Sequence, residues 1–230
     1  FKAPNLTNSA NTTFYIYFDN PSASGYAATD TFGRNNVWTN GYEAVYHFPT
    51  TIDSTGNGYT LSASNITNSA TTKVGTQAAD FNGSNSIYTF SNASTILGGH
   101  SAVTFSGWID SDVTATDKGF LATNVIDGSD APFCMRYDAA GFSGGGSSVI
   151  KGCIGTTGGA SAYETVSNIQ TTDWQHVVQT WQAGQALDVY VDGLASGFTA
   201  APPSQTGTVD IGGTGPLYIG AGAKDSAAGG

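Results

Sequence analysis

The sequence predicts an all-β protein, an antiparallel β-sandwich of jelly-roll type, and three observations carry that prediction. Short runs with strand-like alternation recur at a spacing of roughly 8–15 residues, divided by Gly- or Asn-containing turns. The composition holds 31 Gly beside 12 Phe, 11 Tyr and 4 Trp, a mixture that suits strands and tight turns. No window long enough for three helical turns carries a helical period of apolar residues.

The elements follow in chain order. Residues 13–20, "TFYIYFDN", alternate large aromatics with other residues and read as a strand that Pro21 ends. Residues 21–41 are rich in turn-forming Gly, Ser, Thr and Asn and read as a long connection. "YEAVYHF" (42–48) is expected to be a strand, and "DSTGNG" (53–58) a dense turn. Further strands are expected at 77–81, 86–90, 102–110, 119–126, 133–138, 147–155, 162–167, 174–182, 186–193 and 216–222. "NASTILGG" (92–99) has room for one helical turn, and "SGGG" (143–146) and "AAGG" (227–230) read as flexible. In "HVVQTWQ" and "LDVYVDG" apolar and polar residues alternate, which predicts one covered and one wet face.

With 230 residues the chain can enclose a substantial core. Its formal net charge is −10, and no Lys/Arg cluster is present to neutralise phosphates, which argues against nucleic-acid partners and anionic membrane surfaces. No apolar run reaches the length of a membrane span, and no basic start followed by an apolar core marks a signal peptide. The first residue is Phe1 rather than Met, so the chain reads as part of a longer polypeptide or assembly. Cys134 and Cys153 lie in two strand-like runs that a hairpin could bring within disulfide reach; two buried free thiols are the alternative. A disulfide would fit an extracellular protein. N-x-S/T sequons stand at Asn5, Asn11, Asn65, Asn82 and Asn92, a number that a chain rich in Ser, Thr and Asn reaches partly by chance.

Five motifs occur in order: "YEAVYHFPTTIDSTGNGYTLS" (42–62), "AADFNGSNSIYTF" (78–90), "AVTFSGWIDSD" (102–112), "WQHVVQTWQAGQALDVYVDGLASG" (174–197) and "PLYIGAG" (216–222). Together they resemble a laminin-G-like module of the concanavalin-A-like lectin/glucanase superfamily, over roughly residues 40–225. Residues 13–40 are similar to the tail of an extracellular domain that precedes such modules. The resemblance implies two parts, an N-terminal stretch (1–40) and a sandwich (41–230). It makes the Trp174–Gly193 hairpin frame rather than active site. It also implies a closing acidic strand after "LYIGAG", which this sequence does not show.

The chemistry legible in the sequence is sparse. A glycosidase needs paired carboxylates, and the superfamily's glucanases carry E-x-D-x-x-E on one strand. The two glutamates here, Glu43 and Glu164, fall in separate regions; Asp110 with Asp112 reads as a solvated strand end, and Asp188 with Asp192 as a wet face and a turn. His47 and His176 are placed in strands, and His100 after a Gly-Gly turn, with no nucleophile motif nearby. The expectation is therefore a noncatalytic module, secreted or on a cell surface, that binds glycan or another extracellular protein; a structural building block of an appendage or matrix is the alternative. Tyr137, Phe142, Tyr163 and Trp181 are the candidate sugar-stacking aromatics. The turn at 51–60 offers Asp53, Ser54, Asn57 and backbone carbonyls to a hard cation. Related modules hold a structural Ca²⁺ at such a turn. The competing reading is an Asx turn in which Asp53 bonds its own backbone.

Overall fold

The computed structural model describes residues 8–13, 15, 18–123, 132–139, 147–199 and 202–221. The expected flexible patches at 143–146 and 227–230, Phe142, and residues 124–126 of an expected strand lie outside them.

Thirteen strands and two short helices are described. They are a 3₁₀ turn (Arg34–Asn36), β1 (Ser62–Ser64), β2 (Thr67–Ser69), β3 (Ala78–Asp80), β4 (Ile87–Phe90), α1 (Ala93–Leu97), β5 (Ala102–Ile109), β6 (Lys118–Thr123), β7 (Phe133–Asp138), β8 (Val149–Thr156), β9 (Gly159–Glu164), β10 (Gln175–Gln182), β11 (Asp188–Val191), β12 (Leu194–Ala195) and β13 (Leu217–Ile219). Every pairing is antiparallel. A seven-stranded sheet runs β1-β4-β13-β6-β7-β8-β9, a four-stranded sheet runs β12-β11-β10-β5, and β2-β3 form a separate hairpin.

The core lies between the two large sheets. Phe133, Met135, Tyr137, Ile150 and Ile154 of one meet Val177, Trp181, Val189 and Val191 of the other. The period-2 rule places alternate residues on this face, and not all of them are apolar. On β10 the inward row is Gln175, Val177, Gln179 and Trp181, all buried, while Val178 points outward. Each glutamine is anchored across the sandwich by one bond, Gln179 Nε2 donating to the Cys153 carbonyl at 2.9 Å and Gln175 Oε1 accepting from the Tyr137 hydroxyl at 2.6 Å, while the buried Gln179 Oε1 has no partner among the described residues. Gly152 makes room for this, since a Cβ there would stand 2.4 Å from Gln179 Oε1.

Other expectations need correction. Residues 42–48 form no strand; Tyr46 makes a single bridge to Asp53. The Val45 N–H is taken by the Asp53 side chain, which interrupts a ladder before it starts. His47 accordingly sits outside any strand. Residues 13, 15 and 18–20 are in no strand, and residues 14, 16 and 17 lie outside the described residues. The strands β1 and β2 have no counterpart in the sequence reading, because three-residue polar, exposed runs carry no alternation.

Cys134 and Cys153 are directly opposite on β7 and β8, with Cα atoms 4.8 Å apart, and are disulfide-bonded. They pack with Ala122 and Ala162 on the side of the large sheet away from the main core. The bond spans 19 residues, and constraining a loop of that size in the unfolded chain contributes about 3 kcal/mol. Reduction should lower the melting temperature accordingly. Intact mass before and after alkylation checks the bond, and two alkylatable thiols in untreated protein would contradict it.

Candidate functional site

Of the four candidate sugar-stacking aromatics, the three that are described are structural. Tyr137, Tyr163 and Trp181 are all buried in the main core. Strand parity decides this for two of them: Tyr137 shares a face with Phe133 and Met135, and Trp181 with Val177.

Among the described strand residues, the aromatic that reaches solvent is Trp108; Tyr15, Phe18, Tyr26, Phe32, Tyr42 and Phe198 are more exposed but lie outside the strands. On β5, exposure alternates strictly, with Val103, Phe105 and Ile109 turned to the core and Thr104, Ser106 and Trp108 turned out. Trp108 is 42% exposed. Across the ladder it pairs with His176, and Ser106 pairs with Val178. The Trp108 and His176 rings lie 5.0 Å apart at 40°. Ser106 Oγ and His176 Nε2 share a hydrogen bond of 2.9 Å. Lys73, from the β2-β3 hairpin loop, places its ammonium 5.0 Å from the centroid of the Trp108 ring. One solvent-facing patch of the four-stranded sheet thus joins an indole, an imidazole, a hydroxyl and a cation.

Acids rim the patch. Asp192, at φ +52° in the turn after β11, accepts the His176 backbone N–H at 2.9 Å. Asp110 follows β5 directly; its desolvation by the surrounding chain, then the negative charges of Asp112 and Asp173, raise its carboxyl above the usual range. Ser106 and His176 resemble a nucleophile with its base, but the third member is missing. The nearby carboxylate, Asp192, holds the backbone of His176 rather than its ring, so nothing described orients the imidazole for proton transfer.

The glutamates stand apart. Glu43 faces His100 at 3.8 Å, and Glu164 is buried on β9, accepting from Thr199 Oγ1 at 3.3 Å and paired across strands with Lys151. Asp188 is exposed on β11. Arg136, Asp138, Lys151 and Glu164 form a buried charged row across β7, β8 and β9, with Arg136 Nη2 donating to Asp138 Oδ2. A concavity of about 410 Å³ lies by α1, with Ser94, Gly98, Thr157, Thr208, Asp210 and Thr214 among its lining. It has no aromatic lining.

At the expected metal turn, Asp53 is buried and its oxygens are taken. Oδ1 accepts from the N–H groups of Thr55 (2.9 Å) and Val45 (3.1 Å); Oδ2 accepts from Thr55 Oγ1 (2.7 Å) and the Tyr59 N–H (3.4 Å). Burial by itself would raise this carboxyl, yet the hydrogen bonds from Thr55, Val45 and Tyr59 outweigh it and lower it. Asn57 turns its amide donor to the carbonyls of Glu43 (2.9 Å) and Tyr42 (3.5 Å), and Ser54 gives its N–H to the Val45 carbonyl. A carboxylate offers about four lone-pair sites, and all four are engaged. The residues present therefore do not fit a resident Ca²⁺, which wants six to eight oxygens free to face it. They fit the Asx turn, and the turn's task is to clamp residues 42–46 to the sandwich. Among the described residues, no cluster of three or more His, Cys, Asp or Glu is arranged to hold a metal.

Comparison with known proteins adds the following. A laminin-G-type family model, described as the concanavalin A-like lectin/glucanases superfamily, matches residues 81–230. No curated protein matches the chain. Among solved structures, the receptor-binding domain of botulinum neurotoxin mosaic serotype C/D is similar at 10% identity and a TM-score of 0.50, over 80% of this chain and 43% of that one. The binding domain of serotype D/C is similar at 9% identity and 0.49, over 81% and 44%. A Trypanosoma rangeli sialidase is similar at 17% identity and 0.48, over 80% and 27%. The chain spans less than half the length of each, and at these identities the likeness concerns the fold alone.

Proposed function

The chain belongs to the concanavalin A-like lectin/glucanase superfamily, and from that premise we propose that it is a noncatalytic binding module that recognises glycan through the outer face of its four-stranded sheet. The observation that carries this reading is Trp108, a large exposed aromatic on a rigid strand with hydrogen-bonding groups on either side. An indole offers a flat apolar surface to the C–H face of a sugar ring. Ser106, His176 and the acidic rim offer the few placed polar groups that fix a polar ligand's orientation. Among the described residues nothing orients the His176 ring, and Glu43 stands apart from Glu164; both support binding without hydrolysis. The disulfide supports a secreted or cell-surface location. Among the described residues no helix is long and apolar enough to cross a membrane.

A glycan array with the isolated chain identifies ligands. Against any that bind, Trp108→Ala should weaken affinity by about 30-fold, the equivalent of a hot-spot loss of about 2 kcal/mol, while its melting temperature stays near that of wild type because the side chain faces outward. Unchanged affinity in this variant would exclude the face. The alternative reading is a building block of an extracellular assembly; among the described residues, β5 pairs on one side only, with β10.

A further inference from the structure

The outward residues of the four-stranded sheet fall into rows that cross its strands. One row joins Trp108 on β5 to His176 on β10 and then to Asp192, whose N–H donates to the His176 carbonyl and whose carboxylate accepts the His176 N–H. The next joins Ser106 to Val178 on β10 and to Tyr190 on β11. Ser106 is exposed, and His176, Val178 and Tyr190 are half-buried. The surface that begins at Trp108 therefore runs diagonally over His176 and Val178 to a second aromatic ring. Two strand spacings across and two residues along put the Cα atoms of Trp108 and Tyr190 about 12 Å apart. A single pyranose ring does not reach from one to the other, whereas a chain of linked rings does.

Each ring has carboxylates beside it. Asp188 and Asp192 stand two residues to either side of Tyr190, and Asp110 stands two residues beyond Trp108, the spacing that returns to the same side of a strand. An ionised carboxylate accepts hydrogen bonds from hydroxyl groups and repels other anions. The strands β5, β10 and β11 contain no Lys or Arg, and Lys73 brings one positive charge to the Trp108 end. The balance at this face favours a ligand that is rich in hydroxyls and carries no negative charge.

We propose that this face takes a linear, neutral polysaccharide of the extended ribbon type, as in cellulose, mannan or xylan, lying diagonally across the strands with one sugar on Trp108 and another further along the chain on Tyr190. The inference rests on the glycan-binding reading of the face and adds the charge, length and shape of the ligand. An extended ribbon presents flat C–H faces at intervals, and the indole and phenol rings stack on two of them. Asp110, Asp188 and Asp192 accept from hydroxyls along the ribbon's edges, as charged acceptors that make stronger hydrogen bonds than neutral ones. A polyuronate or a sulfated chain meets the same carboxylates as like charges and binds more weakly.

Calorimetric titration of the full chain with cellohexaose, mannohexaose and xylohexaose, with their disaccharides and with hexagalacturonic acid tests it. The expected result is a neutral hexasaccharide that binds at least about tenfold more tightly than its own disaccharide, with hexagalacturonic acid weaker than both. Tyr190→Thr, which keeps a strand-forming residue, should weaken the hexasaccharide about tenfold, the loss of one well-placed ring, and leave the disaccharide unchanged. Tyr190→Phe, which keeps the ring, should bind as wild type does. Equal affinity for disaccharide and hexasaccharide, a hexasaccharide affinity untouched by Tyr190→Thr, tighter binding of hexagalacturonic acid, or no binding of any neutral hexasaccharide would overturn the proposal. Any of these leaves the glycan-binding reading in place as long as Trp108→Ala still weakens an array-selected glycan, so the two fail separately.

Discussion

Tyr137→Ala should cost the protein about 4 kcal/mol, the middle of the range for deleting a buried aromatic ring, and should leave it close to unfolding, since small domains hold only about 5–15 kcal/mol in total. The ring is fully buried on β7 and packs edge-on against Phe120 with centroids 4.9 Å apart. Its hydroxyl shares a proton between the Thr171 carbonyl (3.0 Å) and Gln175 Oε1 (2.6 Å), tying the large sheet to the start of β10. The substitution therefore leaves a cavity and strands the buried Gln175 oxygen. Tyr137→Phe, which keeps the ring, should cost only about 1–3 kcal/mol, the penalty of an unsatisfied buried polar group. Urea unfolding of the two variants gives both numbers. Equal losses would mean that the ring contributes nothing beyond its hydroxyl.

Asp53→Ala should destabilise by about 3 kcal/mol, because it removes the acceptor for three backbone N–H groups at once and an unsatisfied buried group costs about 1–3 kcal/mol. The pH dependence has a definite sign. The folded-state carboxyl lies below the unfolded value of 3.8, so its contribution is fully present above that value and is lost as pH falls through the folded value. Asp53→Asn should flatten the acid limb of the stability curve as well as lower its plateau. Excess chelator should leave the wild-type melting curve in place, because the donors to Asp53 are protein groups. A chelator-dependent fall in melting temperature, abolished in Asp53→Ala, would contradict the Asx-turn account and restore a cation to the turn.

The fold was legible because its signals are local. Turn residues and alternation mark β4, β5, β7, β8, β10 and β11, and the hairpin that brings Cys134 opposite Cys153 follows from two strand runs with glycines between them. What escaped depends on contacts distant in sequence. "YEAVYHF" has good strand composition, but Asp53, eight residues on, captures its Val45 N–H. Gln175 and Gln179 look solvent-facing until the second sheet supplies a hydroxyl for one and a carbonyl for the other. The buried row of Arg136, Asp138, Lys151 and Glu164 is likewise a cross-strand fact that composition does not reveal.

The candidate site was partly available. Phe105 and Trp108 have opposite parity on one strand, so if Phe105 is inward Trp108 must be outward, and the same arithmetic puts Tyr137 and Trp181 inside. Ser106 shares the outward parity of Trp108, but His176 and Lys73 could not be joined to it from sequence, because the register of β5 on β10 and the position of the β2-β3 hairpin bring them together.

Chemical-shift mapping of an array-selected oligosaccharide titrated into ¹⁵N-labelled protein tests the central claim most directly. The account predicts that the largest changes fall on the Trp108 indole N–H and on the amides of Ser106, Trp108, His176 and Asp192, all on the outer face of the four-stranded sheet. Changes centred instead on the cleft by α1, at Ser94, Thr157, Thr208 and Asp210, with the Trp108 indole unmoved, would contradict it.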